Sequence, residues 1–224
     1  METVLTVAHR NGPRGEVVLR RRSGNGPDVD ELIVNGAFAM DSSDTATERA
    51  LADVALAGQV QRRVLLGGLG LGYTAAQLLA ADMDHLDVVE IETCLLDWAY
   101  AGLTPTLAAV ASHPKAALHA ADIATVLARR REPRGPWNAI VLDVDNGPDF
   151  LIHDANSELY SQPSLALAYA QLAAGGTLAI WCQGPAPALL ATLRQLSATA
   201  RPHVFQQVRH GRQLTYVIYT VTRP

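Results

Sequence analysis

Residues Val64–Thr74 read VLLGGLGLGYT. A short apolar run leads into four glycines within six positions, Gly67, Gly68, Gly70 and Gly72. Glycine adopts positive φ angles at little cost and has no Cβ that would keep a ligand away from the backbone. In a chain of alternating strands and helices, such a loop is typical of a bend against a nucleotide-like cofactor, with a plain tight turn as the alternative. Its spacing differs from the G-x-G-x-x-G dinucleotide fingerprint.

The chain around this loop alternates between apolar runs and helical patterns. Strands are predicted near 63–66, 86–91, 116–119, 138–143 and 177–182. Helices are predicted near 73–81, 93–100, 122–131, 163–173 and 186–199. This alternation implies a parallel sheet that is covered by helices on both faces.

The last two apolar runs, 203–208 and 214–221, depart from the alternation. The segment between them, centred on His210-Gly211-Arg212, leaves no room for a crossover helix, so the two runs must pair antiparallel as a hairpin. Five parallel strands closed by a hairpin are usual in S-adenosylmethionine-type transferases, whereas nicotinamide-binding sheets generally continue in parallel. The predicted fold class is therefore α/β, a Rossmann-like methyltransferase fold with a mostly parallel seven-stranded sheet.

The first forty residues have a different pattern. Short extended runs at 17–19 and 31–34 flank a segment rich in Gly, Asn, Pro and Asp. Asn35-Gly36 is a strong signal for a two-residue hairpin turn. These features predict a small N-terminal β-element of two to four strands.

A helix over about 45–57 follows this element, and Asp41–Asp44 offers N-caps for it. We therefore divide the chain into an N-terminal β-hairpin element, residues 1–44, and a methyltransferase-like domain, residues 45–224.

Composition limits the classes of ligand. The chain has 224 residues, 49% of them hydrophobic, which suits one domain with a substantial core. A net charge of −4 argues against nucleic acid as a partner, because phosphate backbones call for a basic face. The basic runs Arg20–Arg22 and Arg129–Arg131 are interpreted as solvated faces.

Cysteine usage and hydropathy bear on location. Cys94 and Cys182 form no CxxC pair, so we expect buried thiols in a reducing compartment. The N-terminal residues METVLTVAHRNG contain no apolar signal core. The uncharged stretch 159–193 is interrupted by polar residues and glycines before it reaches the ~20 apolar residues of a membrane span. We expect a cytoplasmic protein without membrane contact.

Acidic residues lie just beyond the ends of successive predicted strands, where ligands bind in open α/β sheets. Glu90 is placed to accept both ribose hydroxyl protons, with a solvated strand end as the alternative. Asp122 is placed to reach an exocyclic adenine amine, with a helix N-cap as the alternative. Their joint position on the rim of the glycine loop predicts one site.

Asp143 and Asp145 follow the fourth parallel strand. If the strand geometry continues, residues two apart project to one face and bring two carboxylates together. Like charges at that separation raise one pKa and make a candidate general base, and the pair also suits a sulfonium or ammonium cation. A capped turn with solvated aspartates is the alternative. Asn146 would turn the chain over the site, and Tyr160 would roof it.

No metal site is expected. The seven histidines are dispersed, with no HExxH motif and no His/Cys cluster of ligand spacing. The chain also lacks a GxxxxGK[ST] phosphate loop and a GxSxG nucleophile elbow.

Together these motifs resemble the spermidine synthase family, aminopropyltransferases built on a methyltransferase-like fold. The family's N-terminal hairpin motif matches Val34–Ala39, its glycine loop matches Gly67–Gly72, and its ribose-binding motif matches Val89–Glu92. Its adenine-side motif matches Asp122-Ile123, its catalytic turn matches Asp143–Pro148, and the segment after that turn matches Leu159-Tyr160. The resemblance implies cofactor binding by Gly67, Gly68, Gly70, Gly72, Glu90, Asp122, Ile123 and Asp143. It implies catalysis by Asp143 and Asp145, and acceptor binding by Asp145, Asn146 and Tyr160.

Three family positions differ in this chain. The loop carboxylate that meets the aminopropyl amine of decarboxylated S-adenosylmethionine is Gly70, and the hairpin glutamine is Ala39. The polyamine-gripping segment D-E-x-x-Y-x-E becomes residues 44–49, without a tyrosine. At ~1–3 kcal/mol for each lost hydrogen bond to a charged group, these changes weaken polyamine binding.

The resemblance implies a transferase that uses decarboxylated S-adenosylmethionine or S-adenosylmethionine as co-substrate. An aminopropyl or methyl group would pass to an amine or polyamine-like acceptor, and no metal would take part. Three alternatives stay open: a methyltransferase proper, a cofactor-binding homologue without catalysis, and a nicotinamide-dependent oxidoreductase. Because family members generally associate through their N-terminal regions, the resemblance also implies a homodimer.

Overall fold

The N-terminal β-element is a four-stranded antiparallel sheet. The structure is a computed structural model that describes residues 2–209 and 212–224. The strands are β1 (Thr3–Gly12), β2 (Gly15–Ser23), β3 (Val29–Val34) and β4 (Ala37–Asp41), in that spatial order. Between β3 and β4, Asn35 and Gly36 have φ angles of 51° and 74°, the left-handed values that a tight hairpin turn requires. This sheet confirms the predicted element, and the domain division after residue 44 stays a prediction.

The second sheet has seven strands. They are β5 (Arg63–Gly67), β6 (His85–Glu90), β7 (Ala116–Ala120), β8 (Trp137–Leu142), β9 (Leu172–Cys182), β10 (Arg201–Arg209) and β11 (Arg212–Thr222). Their order is β10-β11-β9-β8-β5-β6-β7. The strands β5 to β9 pair in parallel, and β11 pairs antiparallel with both β9 and β10. The predicted fold class, with its terminal hairpin, is confirmed, while His210 and Gly211 of the predicted turn lie outside the described residues.

Helices connect the parallel strands. They are α1 (Ala46–Leu56), α2 (Tyr73–Ala80), α3 (Thr93–Tyr100), α4 (Pro105–Ser112), α5 (Ile123–Leu127), α6 (Gln162–Ala170) and α7 (Pro187–Leu196), with a 3-10 helix at Asp154–Tyr160. No single described helix has both the length and the apolar character to cross a membrane. The successive helices α3 and α4 reach that length and composition together, but they meet at 89°.

Three helical segments differ from the predictions. The helix predicted to reach residue 131 ends at Leu127, and Arg129 takes a φ of 56° that an α-helix does not allow. The helix α4 is not predicted; it begins after Thr104, whose hydroxyl oxygen accepts a hydrogen bond from the N–H of Leu107. The 3-10 helix before α6 is also not predicted, because its sequence, DANSELY, has no helical apolar period.

The start of α1 uses only part of its predicted cap. Thr45 is the N-cap residue, and its side chain makes no capping hydrogen bond. Asp44 supplies that bond from one residue earlier, because its Oδ1 accepts from the N–H of Ala46 at 3.3 Å.

Helices cover both faces of the large sheet, and each face has its own core. The helices α1 to α4 pack on one face, and α5 to α7 pack on the other. Val17, Leu19 and Leu32 of the N-terminal sheet are buried in the first core. Burial of such side chains contributes roughly 1.5–3 kcal/mol each. The small sheet is therefore held against α1–α4 and close to the carboxyl ends of the parallel strands.

Strand β5 is where the order of the parallel strands reverses. The chain leaves β5 towards β6 and β7 on one side and returns to β8 and β9 on the other. In open α/β sheets the crevice beyond such a point holds the ligand. This crevice lies beyond the carboxyl ends of β5, β6 and β8.

Candidate active site

A cleft opens at this switch point. Its empty volume is about 1140 Å³, including the mouth that is open to solvent. Eight of the predicted site residues line it: Gly68, Gly70, Glu90, Asp122, Ile123, Asp143, Asp145 and Asn146. Three others, Gly67, Gly72 and Tyr160, are not among the described residues that line the cleft.

The glycine loop joins β5 to α2 and forms the floor of the cleft. Gly68 has a φ of 91°, and a Cβ there would lie 2.1 Å from the carbonyl oxygen of Asp143. Only glycine fits at this crossing. Gly67 also holds the glycine loop against Asp143, because its carbonyl oxygen accepts from the N–H of Asp143 at 2.9 Å. Gly72 is the N-cap of α2 and faces Leu107, away from the cleft.

Glu90 ties this loop to the end of β6. Its Oε2 accepts from the N–H of Leu69 at 2.7 Å, and its Oε1 accepts from the N–H of Glu92 at 2.8 Å. The residue is only 6% exposed, which excludes the alternative of a solvated strand end. Burial raises the pKa of this carboxyl, against the lowering effect of backbone donors at Glu92, Leu69 and Ile91.

Asp122 lies next to the end of β6, because the N–H of the preceding Ala121 donates to the Glu90 carbonyl oxygen at 3.0 Å. Asp122 has two roles. Its Oδ1 accepts from the N–H of Ala124 at 2.8 Å, so the N-cap alternative is correct for α5. Its Oδ2 lies 3.1 Å from the guanidinium of Arg14, and the side chain also lines the cleft. Ile123 follows it and supplies an apolar surface on the same wall.

Arg14 is a cleft residue that the sequence analysis missed. It lies in the turn between β1 and β2 and reaches over the cleft, where its Nη2 donates to Asp122 and its Nη1 donates to Asn156. Its backbone N–H donates to Glu92 at 3.1 Å. The turn sequence Gly12-Pro-Arg-Gly15 indicates a hairpin, but no local signal places its tip against residues over a hundred positions away.

Asp145 is fully engaged by its own loop. Its Oδ1 accepts from the N–H groups of Asn146 and Ile152, both at 2.7 Å. Its Oδ2 accepts from Asn156 Nδ2 at 2.7 Å and from the N–H of His153 at 3.4 Å. The carboxylate therefore holds residues 145–156 in one conformation, and Asn146 at the start of this loop lines the cleft.

Asp143 is half-buried, and its hydrogen-bond partner is a side chain of α2 and not its own loop. Its Oδ2 accepts from the hydroxyl of Thr74 at 2.6 Å. Burial raises its pKa, which the bond from Thr74 partly offsets. The charge of Asp145 is not among the causes, because β8 ends at Leu142 and the strand alternation that would pair the two aspartates does not continue. The predicted mutual effect of Asp143 and Asp145 is therefore wrong.

The charge of Asp143 acts instead on a third carboxyl group, that of Glu48. It is buried on the inner face of α1, and its pKa is raised to about 7 by burial first and by the charge of Asp143 second. Thr74 stands between the two residues, with its hydroxyl 3.5 Å from the carbonyl oxygen of Glu48. A sequence signal existed: Glu48 is three and four positions before the buried Leu51 and Ala52, which places it on the inward face of the helix.

A side pocket continues the cleft past Glu48. Its empty volume is about 560 Å³, and it shares Ala39, Met40, Glu48, Asn146 and Trp181 with the cleft. Asp41, Asp44, Thr47, Gln183, Phe38, Gln207 and Tyr216 complete its lining. It is more polar than the cleft and carries three carboxyl groups.

Tyr160 lies behind the site rather than over it. The side chain is buried in the second core, beside Cys182 and the two aspartates. Burial raises the pKa of Tyr160 well above its usual range, and burial also raises the pKa of Cys182 to about 12. The predicted roof over the cleft is not formed by this residue.

Solved structures share this arrangement over nearly the whole chain. The spermidine synthase from Thermotoga maritima has a TM-score of 0.76 at 15% identity, with 96% of this chain and 72% of the other covered. A spermidine synthase in complex with the transition-state analogue AdoDATO has a TM-score of 0.78 at 15% identity, with 96% and 73% covered. The fold is that of the spermidine synthases. No protein-family model and no curated protein sequence matches the chain.

The cleft in this spermidine synthase-like fold is acidic. The carboxyl groups that line it are those of Glu48, Glu90, Glu92, Asp122, Asp143 and Asp145, and Arg14 is the only lysine or arginine among its described lining residues. Such a wall attracts cations and repels phosphates. Within residues 2–209 and 212–224, no group of three or more His, Cys, Asp or Glu side chains is placed to hold a metal ion.

Proposed function

We propose that this chain is a transferase that uses an adenosyl sulfonium compound as co-substrate and passes one of its groups to an amine-type acceptor. The co-substrate is decarboxylated S-adenosylmethionine or S-adenosylmethionine, and the group is aminopropyl or methyl. The observation that carries the proposal is the half-buried Asp143, which follows β8 directly beside the glycine loop in an acidic cleft. A cationic ligand fits this charge, and a pyrophosphate-containing dinucleotide does not.

The residues divide into a nucleoside half and a reacting half. The glycine loop around Gly68 and Gly70 offers backbone that a ligand can approach closely, and Glu90 offers remaining lone pairs to ribose hydroxyl groups. Asp122 and Ile123 face the adenine. The spermidine synthase that was solved with the analogue AdoDATO supports an adenosyl ligand in this fold.

The reaction is a displacement at a carbon bonded to the sulfonium sulfur. The acceptor nitrogen forms a bond to that carbon, the carbon–sulfur bond breaks, and the thioether leaves with the electron pair. The main contribution of the protein is alignment, with the reacting atoms held ~3–3.5 Å apart. Asp143 orients the acceptor nitrogen, and burial raises the pKa of its carboxyl group. Asn146 lines the acceptor side, and Asp145 fixes the loop that presents it.

The choice between aminopropyl and methyl transfer depends on the space around Gly70. A Cβ at Gly70 would lie 2.8 Å from the sulfur of Met40, and that sulfur also accepts from the N–H of Leu71 at 3.3 Å. No carboxylate can extend from this loop position towards an aminopropyl amine. This observation favours methyl transfer from S-adenosylmethionine as the second candidate function.

One pair of measurements tests both candidates. Calorimetric titration with each co-substrate, followed by product analysis with putrescine, separates the two transfers. We expect at least one sulfonium compound to bind in the micromolar range. Tighter binding of S-adenosylmethionine without putrescine turnover would exclude aminopropyl transfer, and binding of neither compound would exclude the proposed function altogether.

Assembly and location are part of the same proposal. We propose a homodimer through the N-terminal sheet, where Val4 and Leu5 on the edge strand β1 are 57% and 65% exposed. Light scattering of the purified chain, with Leu5→Glu as the comparison, tests the dimer. A cytoplasmic location is proposed because Cys94 and Cys182 are free and buried thiols, and cell fractionation tests it.

A further inference from the structure

Glu48 stands where the cleft meets the side pocket. It lines both cavities, and it is 9% exposed. The hydroxyl of Thr47 donates to its Oε2 at 2.8 Å. Thr74 links it to Asp143, because the Thr74 hydroxyl donates to Asp143 and lies against the Glu48 carbonyl oxygen. Glu48 therefore lies at the junction of the two cavities, while the half-buried Asp143 lines the cleft alone.

The charges around Glu48 are all negative. Asp143 faces it from the end of β8, and Asp44 faces it from the residues before α1. Asp41, at the end of β4, lines the same side pocket, and Gln207 of β10 donates to Asp44 at 3.3 Å. No lysine or arginine is among the described residues that line the side pocket. Arg49, the nearest cation along α1, is exposed and lines neither cavity.

We propose that Glu48 is a catalytic residue, which binds the acceptor ammonium group together with Asp143 and takes the proton that the nitrogen must lose before it attacks. This inference rests on the proposed function. In the step, the ammonium gives one proton to the Glu48 carboxylate and becomes a neutral amine with a free electron pair. That pair forms the new carbon–nitrogen bond while the carbon–sulfur bond breaks and its electrons leave on the thioether.

Two observations favour Glu48 over Asp145 for this task. Asp145 accepts four hydrogen bonds from its own loop, so a substrate would have to compete with groups that hold the backbone. Glu48 accepts a side-chain bond only from Thr47 among the described residues and opens onto the acceptor side. A carboxyl that is half ionised near pH 7 is also a stronger base than an ordinary glutamate.

The test compares Glu48→Gln with the wild type and with a matched control on the same helix. Asp53→Asn removes the same charge from an exposed position of α1 that lies outside both cavities. With putrescine as acceptor and the co-substrate that binds, we expect Glu48→Gln to lower kcat by about 10²–10⁴-fold. We expect the rise of the wild-type rate through pH 7 to vanish in Glu48→Gln and to return in Glu48→Asp. Activity of Glu48→Gln within twofold of the wild type, with the same pH profile, would overturn the inference.

A binding measurement separates this inference from the proposed function. Putrescine is titrated into the wild type, Glu48→Gln and Asp53→Asn by calorimetry, with 5′-methylthioadenosine present. A loss of at least tenfold in putrescine affinity for Glu48→Gln alone supports the amine site, even if no transfer is detected and the proposed function fails. Equal affinity for all three proteins, or no putrescine binding to any of them, overturns the assignment of Glu48.

Discussion

The guanidinium of Arg14 lies 3.1 Å from the carboxylate of Asp122, although 108 positions separate the two residues in the chain. The same guanidinium donates to Asn156, whose amide donates to Asp145 at 2.7 Å. One continuous set of hydrogen bonds therefore joins the tip of the N-terminal hairpin, the wall at α5 and the loop after β8. These hydrogen bonds hold the hairpin tip against the cleft.

Replacement of Arg14 should release the hairpin tip from the cleft. We expect Arg14→Ala to weaken the binding of 5′-methylthioadenosine about tenfold, which corresponds to ~1.4 kcal/mol. Asp122 would lose its cationic partner, and the hairpin would lose its contacts with Asn156. Calorimetry gives the affinity, and amide hydrogen exchange over residues 10–16 should become faster. Arg10→Ala, on an exposed position of the same hairpin, is the control. Equal affinities for the two variants would contradict the role of Arg14.

Much of the fold is predictable from the sequence because the parallel strands are buried on both faces. Strands of this kind are continuous apolar runs, and helices that cover them have a clear apolar period. The strand β1 escapes prediction because its residues are mostly exposed and do not alternate in polarity. The helix α4 escapes prediction because its sequence, PTLAAVAS, has only a weak apolar face, and Thr104 and Pro105 start it locally.

The site was predictable only where strand ends determine it. Glu90 ends β6, and Asp122 and Asp143 come shortly after β7 and β8, so the sheet brings all three to the same cleft. Arg14 and Glu48 come from the N-terminal hairpin and from α1, whose positions over the cleft depend on tertiary packing. The Asp143–Asp145 pair failed as a prediction because a strand's alternation ends with the strand, at Leu142.

Asp143 and Asp145 should respond differently to the same substitution. Asp143→Asn should leave stability unchanged or raise it, since burial already raises the pKa of this carboxyl, and it should lower transfer by about 10²–10⁴-fold. Asp145→Asn should destabilise the chain by ~1–3 kcal/mol. The new amide nitrogen is itself a donor and would face a backbone N–H group, from which a carboxylate oxygen of Asp145 now accepts a hydrogen bond. Urea denaturation and steady-state rates measure the two effects. Equal loss of stability in both variants would contradict a structural role for Asp145 and a catalytic role for Asp143.

Asp87 should make stability depend on acid pH. Burial alone would raise its pKa, but hydrogen bonds from His119 and Trp137 and the nearby His85 outweigh burial, and the pKa is lowered. The pKa of Asp87 in the folded state lies below its unfolded value of about 3.9. The ionised carboxylate therefore stabilises the fold above pH 3.9, and this stabilisation is lost as the pH falls towards the folded-state pKa. We expect Asp87→Asn to cost ~1–3 kcal/mol at pH 7 and progressively less below pH 4.

Urea denaturation of the wild type and Asp87→Asn at pH 7, 5 and 3.5 measures this dependence. Asp82→Asn is the control, since the Asp82 side chain is 97% exposed and its ion pair is with the surface residue Lys115. A difference between wild type and Asp87→Asn that stays constant across the three pH values would rule out the ionised Asp87 as its source.

Two glycines with similar φ angles allow the destabilisation caused by a left-handed alanine to be measured separately from that caused by a steric clash of its Cβ. Gly58, after α1, has a φ of 78° and no atom within 4 Å of an added Cβ, whereas Gly68 has a φ of 91° and the Asp143 carbonyl oxygen at 2.1 Å. We expect Gly58→Ala to cost roughly 1 kcal/mol, the strain of an alanine in a left-handed conformation. Gly68→Ala carries that strain and must also push the Asp143 backbone away from the glycine loop, so it should cost at least ~2 kcal/mol more and abolish binding of 5′-methylthioadenosine. Thermal unfolding and calorimetry on both variants decide the matter, because equal effects would mean that the crossing of the glycine loop and Asp143 is not what shapes the cleft floor.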